Sequence, residues 1–162
     1  MASQRLSNIK IMLYSAIKSF HTGGAFFLLL FFILSIVFNA YAWLKKKPFT
    51  LQNKTYALYG LVSIHIQFLL GLALYFLSPL GMSNVSGAAM KNSHFRFYIL
   101  EHPLVMIIAI ALVTIGYSKA KRLTIDAAKY KTMVLFYSIG LILILSRFPW
   151  GDWFNYMSGL KM

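Results

Sequence analysis

The chain contains no cysteine in its 162 residues. That excludes disulfides, thiolate metal centres, iron–sulfur clusters and thioether-attached haem, so any cofactor has to be held by nitrogen, oxygen or methionine sulfur. Acidic residues are nearly as scarce, three against sixteen lysines and arginines, for a net charge of +13. There is no GxGxxG dinucleotide loop, Walker A sequence, HExxH zinc helix or GxSxG elbow, which argues against an enzyme of the soluble kind. No internal repeat and no low-complexity tract divides the chain.

What the chain has in quantity is apolar sequence. Hydrophobic residues make up 59% and the mean hydropathy is +0.68, too apolar for a soluble domain of this length. A bilayer core of ~30 Å is crossed by about 20 apolar residues in a helix. Four stretches meet that requirement, at roughly 22–44, 55–78, 96–118 and 131–148. The expected fold is an all-α membrane protein, with four transmembrane helices in an antiparallel up-and-down bundle forming a single domain over residues 1–162. The first stretch follows basic residues, as a signal peptide does. But it is longer than a signal h-region and ends in Lys45, Lys46 and Lys47 without a small-residue cleavage site, so it is expected to stay in the protein.

In a soluble protein this charge would point to nucleic acid. Here the spans break it up, and the expected partner is the lipid bilayer. Nine cations fall in two short connections, Lys45, Lys46, Lys47 and Lys54, then Lys119, Lys121, Arg122, Lys129 and Lys131. By the positive-inside rule these loops are cytoplasmic and both termini lie on the opposite side. Tyr41, Trp43, Tyr56, Tyr59, Trp150 and Trp153 fall near the expected interfaces. In residues 5–20, Leu6, Ile9, Leu13, Ala16, Ile17 and Phe20 recur at helical spacing, with Arg5, Lys10 and Lys18 off the stripe. This reads either as an amphipathic arm on the membrane or a partner, or as an extension of the first helix.

Pro48 stops the first helix, and Ser78-Pro79 with Gly81 ends the second. Residues 83–93 form a polar connection with room for a short interfacial turn. Ser93 is the expected N-cap of the third helix, and Thr124 with Ile125 and Asp126 the expected start of the fourth.

Against this background the histidines stand out, because an imidazole in a bilayer-length segment is costly without a partner. His21 lies near the outer end of the first helix, His65 near the midplane, and His102 some turns inside the outer end of the third. His94 sits at a helix start and reads as solvated. A flat macrocycle needs small residues beside its ligands. Gly24 and Ala25 lie one turn inward of His21, Ala109 and Gly116 lie on the His102 face, and His65 is crowded by Leu61, Phe68, Leu69 and Leu72.

A single haem b with two imidazole ligands fits this set, with Arg96, Arg147 and Tyr98 as candidate propionate partners. The small neighbours tilt the axial pair toward His21 and His102, which sit on helices that would be diagonal; His65 with His102 is the alternative pair. A two-haem version would pair His21 with His94 and His65 with His102. Glu101, the one acidic residue near the membrane interior, could salt-bridge Arg147, hydrogen-bond an imidazole on another helix, or relay a proton to a quinone. Each histidine also has a plainer reading, as an interhelical hydrogen-bonding group or, for His21, a solvated one. The scattered methionines read as packing, though histidine with Met106 could form a copper site.

Several segments carry a family resemblance. They are His21-Thr22-Gly23; His65-Ile66-Gln67-Phe68-Leu69-Leu70-Gly71-Leu72 running to Tyr75-Phe76-Leu77-Ser78-Pro79; Arg96-Phe97-Tyr98 with Glu101-His102; Gly116-Tyr117-Ser118-Lys119; and Pro149-Trp150. Together they resemble short four-helix bacterial membrane proteins labelled "cytochrome b" in Bacteroidetes-type genomes, over nearly the whole chain after residue 20. The resemblance implies haem b, electron transfer and a multi-pass place in the bacterial inner (cytoplasmic) membrane. The chain departs from the family where members carry His-Ser-Gly-Leu-Arg. Here Gly24 and Ala25 follow Gly23, and the arginine, a possible propionate contact, is missing.

The expected function is therefore a membrane haem b protein passing electrons to or from a quinone or a partner redox subunit, more an electron-transfer subunit than an enzyme on its own. The competing expectations are a haem-free structural or assembly subunit of a larger membrane complex, and a membrane metal-handling protein using His21, His65 and His102.

Overall fold

The computed structural model describes residues 2–159; residues 1 and 160–162 lie outside it. The fold is 85% helical with no strand among the described residues. In chain order the elements are α1 (Ala2–Leu44), α2 (Leu51–Leu77), a 3₁₀ turn (Met82–Asn84), α3 (Gly87–Lys91), α4 (Ser93–Arg96), a π turn (Phe97–Glu101), α5 (His102–Ala120), α6 (Asp126–Ser146) and α7 (Trp150–Met157).

Four helices are long and apolar enough to cross a membrane. Short connections force neighbours in sequence to run antiparallel. α1 packs along α2 and α5 along α6, while α1–α6 and α2–α5 contacts close the square. α1 and α5 therefore face each other along one diagonal. Large apolar side chains such as Phe27, Phe31, Val37, Leu69 and Ile142 point outward, the arrangement a lipid solvent favours because helices satisfy their own backbone groups.

The buried core consists of Phe32, Ala57, Ile64, Val113, Tyr117, Ala120, Met133 and Tyr137. It sits toward the end of the bundle that carries the lysine-rich connections. Tyr137 can be buried there because its hydroxyl donates to the Ala57 carbonyl at 2.8 Å and its ring lies 5.3 Å from that of Phe32. The same end is sealed by Tyr130, whose hydroxyl donates to the Pro48 carbonyl at 3.1 Å, and by Asp126, which accepts from the Phe49 amide at 2.9 Å. Asp126 also takes Lys129 at 2.9 Å. Asp126 is the first residue of α6, so its carboxylate both complements the helix dipole and clasps the α1–α2 connection.

At the boundaries one open alternative is decided and two expected caps change. α1 is one unbroken helix of 43 residues, so the N-terminal stripe is an extension of the first span, with Leu6, Ile11 and Met12 exposed. The cap of α4 is Asn92 rather than Ser93, because its side-chain oxygen accepts from the His94 and Phe95 amides. No side chain of the Thr124–Ile125 pair caps α6. α7, which the apolar pattern did not signal, folds back on α1. Trp153 stacks on Phe26 with ring centres 6.2 Å apart, and Tyr156 lies over Gly23.

Close approach of α1 and α2 depends on Gly60, where an added Cβ would run into the Ser35 side chain. Gly60→Val is expected to destabilise the bundle by about 1–3 kcal/mol through overpacking. Thermal unfolding in detergent, followed by helical circular dichroism, checks this; an unchanged midpoint would show that the interface can give way.

Candidate cofactor site

The site begins with a helix irregularity. Pro103 is the second residue of α5; it has no N–H, and its ring would clash with a carbonyl one turn back in a regular helix. The chain opens immediately before it into the π turn, with the His102 amide bonded to the Phe97 carbonyl five residues earlier. The wider turn changes which residue stands over His102. Phe97 lies there, ring centres 5.8 Å apart, and not Tyr98, which a regular helix would place one turn outward. Tyr98 instead hydrogen-bonds the Asp152 carboxylate. Single-turn π bulges of this kind recur at functional sites.

His102 faces His21 across the diagonal, with ring centres 6.5 Å apart and planes at 90°. The Nδ1 atom of His102 is 2.7 Å from the Arg147 carbonyl. A carbonyl only accepts, so Nδ1 carries the proton and Nε2 of the neutral ring keeps its lone pair. His21 is held differently. Its carbonyl accepts from the Gln67 side-chain amide at 2.6 Å. Its ring lies against Gly71, where a Cβ would come within 2.9 Å of Cε1, so only glycine gives the imidazole this position. The His21 Nδ1 atom is buried without a hydrogen-bond partner.

That orphan has company. Gln67 Oε1 and Trp153 Nε1 are also buried and unpartnered, and both belong to segments that meet α1 near His21. Between the imidazoles and the Phe32–Val113 level of the core, Ala25 and Ala109 are the buried residues of α1 and α5.

The charged groups cluster beside it. Glu101 accepts from Arg96 Nε at 2.8 Å and faces Arg147 Nε at 3.5 Å. Both arginines expected to meet propionates are thus oriented by one carboxylate, and the Glu101–Arg147 contact is among those foreseen for Glu101. The Arg147 carbonyl that fixes the His102 tautomer had no sequence signal, because it is a backbone group at a helix end. Gln67 and Gly71, four residues apart on one face of α2, could have been read as partners of His21 from that spacing.

His65 stands elsewhere. Its Nδ1 donates to the Leu61 carbonyl at 2.8 Å, and its Nε2 lies 3.4 Å from the Thr114 hydroxyl. Thr114 is twelve positions along α5 from His102, about 18 Å at the helical rise. The structure therefore brings His21 and His102 together and keeps His65 apart from them. Gly116 is still deeper, and the space above it is filled by Phe136, so it serves α5–α6 packing and not room beside His102. His94 is exposed, its ring 5.3 Å from that of Tyr98. No group of three histidine or acidic side chains converges as metal ligands among the described residues.

Compared with known protein families, curated proteins and solved structures, the chain matches none.

If Glu101 orients both arginines, Glu101→Gln weakens two partly exposed ion pairs and costs about 1 kcal/mol. Unfolding in mixed micelles measures this; stability equal to that of the parent protein would show that the cluster holds nothing in place.

Proposed function

We propose that this chain is a haem b protein of the bacterial cytoplasmic membrane that passes electrons to or from a quinone or a partner redox subunit. The observation that carries the reading is the His21–His102 pair. Two metal–imidazole bonds of about 2 Å, with roughly 1 Å from each nitrogen to its ring centre, require ring centres about 6 Å apart. The 6.5 Å across the diagonal matches that requirement.

The residues around the pair supply what such ligands need. His102 is the better fixed of the two, because the Arg147 carbonyl holds its Nδ1 proton and leaves the Nε2 lone pair available; a ligand histidine characteristically donates its other nitrogen in this way. His21 offers a buried ring without a competing partner. Ala25 and Ala109 are small buried residues in the adjoining tier, and the guanidinium groups of Arg96 and Arg147, steadied by Glu101, would pair with acidic substituents. When bound, the haem supplies a one-electron carrier, its potential set by its axial imidazoles, its burial and nearby charge.

The orientation proposed is that of the lysine-rich connections toward the cytoplasm and both termini toward the periplasm. The exposed apolar residues Leu6, Ile11 and Met12 on the extension of α1 give a partner subunit a surface to dock on.

The test is the absorption spectrum with a pyridine haemochrome assay on the purified protein and three variants. His21→Ala and His102→Ala are expected to abolish the low-spin spectrum, while His65→Ala keeps it. A parent protein without haem would reject the reading and leave a membrane subunit whose histidines pack helices together. Loss of the spectrum in His65→Ala with retention in His21→Ala would reject the ligand pair.

A further inference from the structure

A groove of about 380 Å³ opens at the histidine end of the bundle, where α4, the π turn and the start of α7 meet. Its walls include the rings of Phe97, Tyr98, Phe148 and Trp150, and its polar groups include His94 and Asp152. The Phe148 and Trp150 ring centres are 4.5 Å apart with their planes tilted by 49°, so each ring offers its own aromatic face on one side. On the other, His94 stands edge-on to Tyr98 at 5.3 Å. We propose that this groove binds the ring of a membrane quinone or quinol, hydrogen-bonded by His94 and Asp152.

The lining selects the chemistry. No lysine or arginine lines the groove, so a phosphate or carboxylate headgroup would find no cation there and would meet the Asp152 carboxylate instead. A neutral planar ring is stabilised by stacking on the aromatic walls. Oxygens on such a ring can take a hydrogen bond from His94 and, when reduced to hydroxyls, donate one to a carboxylate. The His94 imidazole is exposed and makes no hydrogen bond among the described residues, so it is available for this. Asp152 keeps a second carboxylate oxygen beyond the one that accepts from Tyr98. The groove also opens beside the end of a bilayer-length helix, the level at which a lipid-soluble ring arrives.

Phe97 joins this groove to the site described above. It lines the groove and touches His102 through ring centres 5.8 Å apart. The bound ring would thus lie one side chain from a haem ligand. In purpose the groove rests on the electron-carrier reading; as a binding site it stands on its own lining.

The experiment is photolabelling of the purified full chain with an azido-benzoquinone bearing a decyl tail, followed by peptide mapping by mass spectrometry. Label is expected on residues 93–98 and 148–152, saturable, competed by unlabelled decyl-benzoquinone, and reduced about tenfold by His94→Ala, the loss of one hydrogen bond to a polar ring oxygen. Trp150→Leu, which removes a wall and no hydrogen bond, is expected to weaken labelling as well, and helical circular dichroism confirms that both variants are folded. Label spread along lipid-facing positions such as Phe27 and Phe31, or label that unlabelled quinone does not compete, would overturn the proposal. Haem content measured on the same samples separates the two readings. Competed label without haem removes only the electron carrier, and haem without competed label removes only the groove.

Discussion

An imidazole inside an apolar bundle has to satisfy two nitrogens, and that requirement organises the half of this protein where His21 and His102 meet. His102 settles one nitrogen on the Arg147 carbonyl at 2.7 Å, and its ring centre stands 6.5 Å from that of His21 on α1. His21 leaves its Nδ1 buried and unpaired. An unmet buried polar atom costs roughly 1–3 kcal/mol, and of the four found among the described residues three gather near one end, the fourth being Asn39 Oδ1 toward the other. Gly71 brings α2 against the His21 ring, the π turn before Pro103 aims His102, and α7 folds over Phe26 and Gly23. Each of these features bears on where the two rings stand.

The two ends of the bundle are built on different principles. At the lysine-rich end, polar groups find direct partners: Tyr137 on Ala57, Tyr130 on Pro48, Asp126 on Phe49 and Lys129. The packed core lies there as well, so this end can hold the helices in register. At the histidine end the helices are joined by few fully buried side chains, and the cations are tied back to a single carboxylate, Glu101. Packing concentrated at one end leaves the other less constrained, as the proposed ligand site there would require.

Much of this was legible in the residues. Four apolar runs of bilayer length, separated by lysines and prolines, give the helix number and antiparallel order, and small residues beside His21 point to the diagonal pair. Other parts were not. The π turn is a consequence of Pro103 inside a continuing helix, and regular 3.6-residue spacing assigned Tyr98 to the place that Phe97 takes. Gly116 looked like room for a ligand because its own helix shows only which face it is on; the Phe136 side chain that fills that room comes from α6. α7 carries aromatic residues typical of an interface, and nothing in its short pattern signalled that it packs on α1. His65 was already set apart by its crowded face and midplane depth, but its neighbour Thr114 on another helix could not be read from its own segment.

The most direct test of the central claim, that His21 and His102 ligate one haem iron from opposite sides, is electron paramagnetic resonance of the oxidised protein. The imidazole planes stand at 90° to each other, and perpendicular axial imidazoles give low-spin ferric haem a strongly anisotropic signal. That signal, lost in both His21→Ala and His102→Ala, is the result the account predicts. A high-spin ferric signal, or no ferric haem signal in protein purified with its lipids, would contradict it.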